Sequence, residues 1–261
     1  MMNIQNYVRV KSLEEAFALN QKKQNRIIGG MLWLKMGNGN VGTAIDLCDL
    51  GLDTIEETDE QFTIGAMVSL RQIELHEGLN TYTQGAAAAA VRDIVGVQFR
   101  NLATVGGSLW GRFGFSDVLT MFLAMDTYVE LYQGGVIPLA EFAQMKYDRD
   151  ILVRVIVKKT PGAFAYQAMR RQSTDFPVLA CAVSRVDGVY RAALGARPGR
   201  AILLTDEEGI LAGGVTAESA KAFAAYAAAH TPTQSNLRGS AEYRTHLVRV
   251  LTERALLALE G

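Results

Sequence analysis

The chain has 261 residues, 49% of them hydrophobic and 20% charged, which is enough apolar material for the core of one large domain or two. Its net charge of −1 gives no electrostatic reason to bind nucleic acid or an anionic membrane. No run approaches roughly eighteen apolar residues, and the N-terminal residues lack an apolar core segment, so we expect neither a transmembrane helix nor a signal peptide.

The two cysteines, Cys48 and Cys181, lie far apart in apolar runs, and we expect both to be buried free thiols in a reducing cytoplasm. The sequence contains no CxxC motif and no cluster of residues that would hold zinc or an iron–sulfur centre. It therefore predicts a cytoplasmic protein without a metal site of its own.

Up to residue 53 the pattern predicts a small α/β unit. Ser12 begins a helix, with Glu15 at the capping-box position, and a short extended run ends at Gly29-Gly30. The predicted strands cover residues 7–10, 26–28 and 44–47, and a polar turn covers residues 37–40.

From residue 54 to residue 160, predicted strands and helices are interspersed. An alanine-rich run from Gly85 favours a tightly packed helix, because alanine is the best helix former. The predicted strands cover residues 62–66, 127–131 and 151–157, the predicted helices cover residues 69–79, 85–94 and 117–124, and residues 137–142 are predicted to be a connection.

A turn at Thr160-Pro161-Gly162 marks the predicted start of a second domain. Asp187-Gly188 predicts a tight hairpin between two of the strands that follow. These strands cover residues 163–170, 179–186 and 190–196, and two long helices cover residues 217–230 and 242–259. We therefore expect an α+β protein with one domain over residues 1–160, itself divided near residue 53, and a smaller domain over residues 161–261.

Residues 100–117, RNLATVGGSLWGRFGFSD, carry the clearest functional pattern. Thr104 and Val105 predict an extended run that leads into a loop at Gly106 and Gly107. Paired glycines let the backbone approach a bulky ligand closely, although an ordinary turn is the alternative.

Polar side chains accompany this segment, and a second glycine pair precedes it. Thr104 and Ser108 can donate to phosphate or carbonyl oxygens, and Asp117 can accept from a sugar hydroxyl. The other pair, Gly29-Gly30, lies in the run IIGGML. If the fold brings both segments together, they can hold one extended ligand.

The two glycine segments resemble those of the FAD-binding subunit or domain of the xanthine dehydrogenase and carbon monoxide dehydrogenase group of molybdenum hydroxylases. The resemblance covers essentially the whole chain and includes residues 163–184 and the motif LRGSAEYR at residues 237–244. It implies a two-part FAD-binding domain of the vanillyl-alcohol-oxidase type, followed by a C-terminal domain of the carbon monoxide dehydrogenase flavoprotein type.

The resemblance also implies which residues contact FAD, in four groups. They are Ile28, Gly29, Gly30, Met31 and Leu32 at the pyrophosphate, Thr104, Gly106, Gly107 and Ser108 on the flavin and phosphate side, Ser116 and Asp117 on the adenosine side, and Leu152 against the flavin ring. The alternative for Asp117 is the N-cap of a helix. Arg170 and Arg171 are expected either to meet phosphate or a partner, or to lie in a solvated strand or turn.

Three positions depart from the family pattern. Met31 stands where a hydroxyl residue is common, Ile94 where some relatives carry an aromatic on the flavin, and Tyr166 where some carry a lysine. Phe113 and Phe115 are expected to cover the adenine or to pack in the core. No catalytic acid, base or nucleophile stands out, as expected if flavin supplies the chemistry.

The implied function is that of the FAD-binding subunit of a molybdenum hydroxylase complex, which passes electrons from iron–sulfur clusters through FAD to NAD or another acceptor. The iron–sulfur and molybdenum cofactor subunits must then be partner chains, because this chain lacks the cysteines. The alternatives are a self-contained flavin-dependent alcohol oxidase and a non-enzymatic scaffold subunit that has lost FAD.

Overall fold

Within residues 2–259, which the computed structural model describes, three β-sheets follow one another along the chain, each with its own helices. This confirms the α+β class. In the same range, no helix is long and apolar enough to cross a membrane.

The first sheet is parallel, with the strand order β1-β3-β2. Ser12 caps its helix by accepting a hydrogen bond from the Glu15 amide, as predicted. The elements are β1 (Asn3–Arg9), α1 (Leu13–Asn20), β2 (Arg26–Ile28) and β3 (Asn40–Asp46). Because β2 ends at Ile28, Gly29-Gly30 emerge at the carboxyl edge of a parallel sheet, where ligands commonly bind.

The second sheet is antiparallel, with the order β4-β5-β8-β6-β7. Its strands are β4 (Ile55–Glu57), β5 (Gln61–Gly65), β6 (Thr127–Leu131), β7 (Gly135–Pro138) and β8 (Leu152–Lys158). The associated helices are α2 (Leu70–Leu75), α3 (Glu77–Tyr82), α4 (Ala86–Val91), α5 (Val97–Leu102), α6 (Val105–Trp110), α7 (Asp117–Ala124) and α8 (Leu139–Gln144).

The third sheet is antiparallel, with the order β12-β11-β10-β9. Its elements are β9 (Gly162–Arg170), β10 (Pro177–Val186), β11 (Val189–Gly195), β12 (Ile202–Thr205), α9 (Ala217–His230) and α10 (Ala241–Leu257). Helix α10 covers one face of β10 and α7 covers the other. Cys181 and Ala182, neighbours on β10, accordingly lie in different buried clusters. The third sheet is thus fixed against the middle part of the chain.

The main corrections to the sequence prediction fall on the central glycine segment. Val105 does not continue an extended run but begins α6, and Thr104 Oγ1 caps this helix by accepting from the Gly107 amide at 3.1 Å. Gly106 and Gly107 therefore lie in a helical first turn rather than in a loop. Two glycines weaken the local helix signal, so the cap and tertiary contacts decide the outcome.

Other corrections concern element boundaries and one thiol. Residues 137–142 belong to β7 and α8 rather than to a connection, and β12 was not predicted. The predicted helix at residues 69–79 breaks at His76, whose Nδ1 accepts from the Leu79 amide to cap α3. Cys181 is buried, but Cys48 is exposed.

Candidate cofactor-binding site

The fold brings the two glycine pairs into contact. A Cβ atom at Gly29 would lie 2.6 Å from Thr104 Oγ1, and one at Gly30 would overlap the Leu102 carbonyl oxygen. Only glycine allows the turn at residues 29–32, called the first turn below, to approach the residues before α6 this closely. The fold therefore brings the two glycine segments together, as one extended ligand would require.

Open hydrogen-bond donors lie on the first turn and not on the helix. Among the described residues, the backbone amides of residues 29–32 make no intrachain hydrogen bond. The first three amides of α6, by contrast, donate to Val68 O, Ala66 O and Thr104 Oγ1 at 2.8 to 3.1 Å. Consecutive free amides are the backbone arrangement that binds phosphate, so an anion would be held by the first turn.

The side-chain hydroxyls of the second segment are mostly engaged within the protein. Ser108 Oγ donates to Thr104 O at 2.9 Å, and Ser116 Oγ donates to Ser108 O at 3.0 Å. Thr104 Oγ1 accepts a hydrogen bond from the Gly107 amide, but its hydroxyl group donates to no acceptor within residues 2–259. Thr104 is thus the hydroxyl that is available to a ligand beside the free amides.

Gly106 and Gly107 have different roles. A Cβ at Gly106 would lie 2.6 Å from the Ala66 carbonyl oxygen, so this glycine permits α6 to pack on the end of β5. Gly107 is exposed, and a Cβ there would meet Thr104 Oγ1 at 3.0 Å. Gly107 therefore keeps the surface open next to the available hydroxyl.

The side chains of the first turn pack inward and leave its backbone to the ligand. Ile28 is buried, and Met31 packs against the same small cluster, which includes Val41. The backbone of Met31 is left-handed, with φ of 59°. The missing family hydroxyl at Met31 thus removes a side-chain donor but not the amides of the turn, and Leu32 contributes its amide in the same way.

Asp117 is held in a buried network between α7 and β9. Ser116, not Asp117, is the N-cap of α7, because its Oγ accepts from the Leu119 amide at 3.1 Å. Asp117 Oδ1 accepts from the Tyr166 hydroxyl and from Arg170 Nη2, the latter at 2.7 Å. Arg170 is therefore a buried partner of this carboxylate rather than a solvated residue.

The electrostatics of this network follow from its burial. Burial raises the pKa of Asp117, while the Arg170 guanidinium and the Tyr166 hydroxyl oppose that rise. Burial also raises the pKa of Tyr166 well above its ordinary value, and the neighbouring carboxylate adds to this effect. Tyr166 consequently remains a neutral hydrogen-bond donor, in contrast to the lysine that some relatives carry there.

An aromatic cavity of about 380 Å³ opens next to the first turn, between it and the third sheet. Its aromatic lining is Trp33, which follows the first turn, Phe115 between α6 and α7, and Phe176 before β10. The Phe115 and Phe176 ring centroids are 4.9 Å apart, and the Arg238 guanidinium lies 4.9 Å from the Phe176 ring. Aromatic side chains such as these can pack against a planar ring of a ligand.

Sequence reasoning missed Trp33 and Phe176 as lining residues. The available signals were the position of Trp33 directly after the first turn and that of Phe176 inside the segment at residues 163–184. Phe113 was expected to pack in the core or cover an adenine, but it stacks on Phe115 at 5.2 Å and is 42% exposed.

Leu152 and Ile94 lie in or against the central core. Leu152 is 5% exposed and pairs with Leu131 across the second sheet. Ile94 packs against the same core, and its carbonyl accepts from Arg100 Nη1 at 3.2 Å. A flavin contact at Leu152 stays a prediction.

A turn of free amides and an available hydroxyl, beside an aromatic cavity on an α+β fold, define a protein that binds an extended cofactor with a phosphate and an aromatic part. Residues 2–159 match the family described as FAD binding domain in molybdopterin dehydrogenase, and residues 164–259 match CO dehydrogenase flavoprotein C-terminal domain. The chain belongs to this FAD-binding family of the molybdenum hydroxylases, which confirms the resemblance.

Similar proteins cover nearly the whole chain. The nicotine 6-hydroxylase medium subunit of Paenarthrobacter nicotinovorans is 27% identical, over 96% of this chain and 95% of that protein. The uncharacterized protein YgfM of Escherichia coli K12 is 26% identical, over 95% and 93%. The reconstituted CO dehydrogenase from Oligotropha carboxidovorans superimposes with a TM-score of 0.86 at 22% identity, over 99% and 98% of the two chains, which establishes a shared fold.

Proposed function

We propose that this chain is the FAD-binding subunit of a molybdenum hydroxylase complex, and that it passes electrons from an iron–sulfur cluster on a partner through FAD to NAD or another acceptor. The observation that carries the proposal is the convergence of the free amides of residues 29–32 with the Thr104 hydroxyl, next to the aromatic cavity. A relative named as a medium subunit supports membership in a complex.

In this proposal, the amides of residues 29–32 and the Thr104 hydroxyl hold the pyrophosphate, the cavity lined by Trp33 and Phe115 takes the adenine, and Leu152 contacts the flavin ring. Bound FAD would supply the redox chemistry, because flavin exchanges electrons singly or in pairs. The chain itself binds and orients the cofactor, keeps water from the ring and holds the neutral Tyr166 hydroxyl near the site. The contacts of Ser116, Asp117 and Leu152 with FAD remain part of the proposal.

The electrons must come from another chain. Two cysteines are too few to ligate an iron–sulfur cluster, which ordinarily takes four. Within residues 2–259, no group of three or more histidine, cysteine or acidic side chains is placed to hold a metal ion. We therefore assign the iron–sulfur and molybdenum centres to partner subunits, and we place the complex in the cytoplasm, where free thiols such as Cys48 and Cys181 persist.

Flavin content tests cofactor binding directly. The purified chain should be yellow, with a flavin absorbance spectrum. Gly107→Val, which fills the open surface beside Thr104, should remove flavin while leaving the circular dichroism spectrum unchanged. The matched control is Gly213→Val, since a Cβ at Gly213 meets no atom within 4 Å. A Gly107→Val protein with wild-type flavin content would show that the site is misplaced.

Substrate oxidation separates the complex from a self-contained oxidase. We expect the chain alone to turn over no xanthine- or aldehyde-type substrate, although chemical reductants should bleach its flavin. Oxidation of an organic substrate by this polypeptide, free of iron and molybdenum, would instead favour the alcohol oxidase.

A further inference from the structure

We propose that Arg112 is a positioning residue for the adenine end of the cofactor, because its buried guanidinium holds the backbone between α6 and α7 in the shape that presents Phe115 to the aromatic cavity. This backbone covers residues 111–115 and is called the α6–α7 connection below. The inference rests on the proposed function, since it concerns the cavity that would take the adenine.

Arg112 carries a charge in a place where proteins rarely leave one unpaired. Its residue is only 3% exposed, and within residues 2–259 it forms no ion pair with a carboxylate. Its Nη2 atom is buried and makes no hydrogen bond in the same range. Burial accordingly lowers the pKa of this guanidinium. A buried charge without a counter-ion costs stability, so packing alone does not account for an arginine here.

Aromatic rings take the place of the counter-ion. The guanidinium carbon of Arg112 lies 3.9 Å from the centroid of the Phe142 ring. The rings of Tyr147 and Trp110 are 5.0 and 5.1 Å away. Arg112 Nε donates to Phe142 O at 2.9 Å, and Nη1 donates to Trp110 O at 3.2 Å. Because a guanidinium is planar, with donors at fixed angles, it can stack on a ring and bond two carbonyls at once. Arg112 thus fastens the α6–α7 connection to α8.

The α6–α7 connection is tightly packed, and its backbone is strained at the same arginine. The backbone of Arg112 is left-handed, with φ of 42°, which a residue with a side chain adopts only at a cost. A Cβ atom at Gly114 would overlap the Gly199 carbonyl oxygen, and Gly114 O accepts from the Ala196 amide at 2.5 Å. Strain that the surrounding structure maintains in this way is typical of ligand sites.

The α6–α7 connection ends in the wall of the cavity. Gly114 and Phe115 both line it, and the Phe115 ring lies 5.7 Å from the Trp33 ring and 4.9 Å from the Phe176 ring. Phe115 is three residues from Arg112, so the backbone that the guanidinium fastens also sets the position of this ring. An aromatic wall that is already in place spares the ligand the cost of ordering it. Loss of Arg112 should therefore weaken binding of the adenine end.

The test is titration of the full-length, FAD-free chain with FAD and with ADP, which shares the adenosine and pyrophosphate of FAD but has no flavin. Arg112→Met removes the charge and both hydrogen bonds. It should weaken both ligands by a similar factor of about ten or more, because ordering even one or two residues on binding costs about this much. Isothermal titration calorimetry below the melting temperature gives the affinity per folded molecule.

A second variant and a control separate positioning from stability. Arg112→Lys keeps a positive charge but not the planar fork, and it should also weaken ADP binding by about tenfold. The control is Phe223→Leu, because Phe223 is fully buried in α9, which contributes no residue to the cavity lining. The control should lower the melting temperature and leave both affinities unchanged. A role of Arg112 in the fold alone would give this same result in the arginine variants.

The possible failures are distinguishable. A wild-type chain that binds neither FAD nor ADP would overturn the proposed function itself. A wild type that binds FAD but not ADP would show that the adenine end contributes little to binding, which overturns only the role of Arg112. Wild-type ADP affinity in both arginine variants would overturn that role as well, and failure of both variants to fold would assign Arg112 to the fold instead.

Discussion

Arg170 Nη2 lies 2.7 Å from Asp117 Oδ1, and the two side chains are only 7% and 6% exposed. Asp117 begins α7 of the middle part of the chain, and Arg170 ends the first strand of the third sheet. The pair therefore joins helix α7 to the third sheet next to the proposed cofactor site. In so dry an environment, either charge is tolerated only because the other is present.

Removing one partner of this pair should cost much more than removing both. We expect Asp117→Asn to lower the free energy of unfolding by about 3–5 kcal/mol, the range for an uncompensated buried charge. The double variant Asp117→Asn/Arg170→Met should recover most of that loss, because both charges are then gone. Urea denaturation of the wild type, Asp117→Asn, Arg170→Met and the double variant measures the coupling. Losses below about 1 kcal/mol in the single variant would contradict the buried pair.

Titration of FAD into the same variants tests the predicted role of Asp117 at the adenosine side. If the carboxylate also accepts from the cofactor, Asp117→Asn should weaken FAD binding per folded molecule by about 1.5–3 kcal/mol, the range for hydrogen bonds to a charged group. An unchanged affinity would assign Asp117 to the ion pair alone.

The neighbouring glycines of α6 should respond differently to the same substitution. Gly106→Ala places a methyl group against the Ala66 carbonyl and should destabilise the protein. Gly107→Ala should change the free energy of unfolding little, because the helix preference of alanine, up to about 1 kcal/mol, offsets the 3.0 Å contact of its Cβ with Thr104 Oγ1. It should nevertheless weaken FAD binding. Thermal melting with and without FAD separates the effects, and equal destabilisation by both substitutions would contradict the assignment.

The ion pair between Glu74 and Arg100 should make stability depend on pH. Arg100 Nε lies 2.8 Å from Glu74 Oε2 and links α5 to α2. Burial alone would raise the pKa of Glu74, but hydrogen bonds from Arg100 and Arg71 outweigh it and hold the pKa below the ordinary value of 4.5. The stabilisation is therefore present above pH 4.5 and is lost as pH falls through the lower, folded-state pKa.

Glu74→Gln should accordingly lower the free energy of unfolding by about 1–3 kcal/mol at neutral pH. The difference from the wild type should vanish on acidification below the folded-state pKa. Urea titrations across this pH range measure the effect, with the exposed Glu56→Gln as the control. A difference that does not change with pH would contradict the ion pair.

Arg244 should be irreplaceable even by lysine. Its guanidinium is buried and donates to Val178 O, Ala196 O, Gln234 O, Gly239 O and Asn236 Oδ1. Lysine has three donors on a single nitrogen and cannot span these acceptors. Arg244→Lys should cost about 2–4 kcal/mol for the acceptors left unpaired. Hydrogen exchange should also speed up at the Gly239 amide, whose turn Arg244 braces; unchanged protection there would show that the turn is stable without it.

Local signals in the sequence were sufficient for many of the elements. The hairpin at Asp187-Gly188 is confirmed, with φ values of 49° and 77° that those residue types tolerate. Helix α9 covers residues 217–230 as predicted, because Thr216 caps it and alanine fills it. The paired glycines at residues 29 and 30 also predicted a close backbone approach, and the structure shows one, against Thr104 and Leu102.

The arrangement of the site depended on contacts between residues far apart in the chain, and these carry no local signal. Asp117 pairs with Arg170, 53 positions away in the chain. Position 106 has no room for a side chain, because Ala66 packs against α6 there. The same holds for the aromatic cavity, whose lining residues Trp33, Phe115 and Phe176 lie far apart in the chain. By itself, the sequence determined the strands, helices and turns through propensity and capping. The tertiary structure alone decided which amides stay free and which buried carboxylate pairs with an arginine, because both depend on contacts between distant residues.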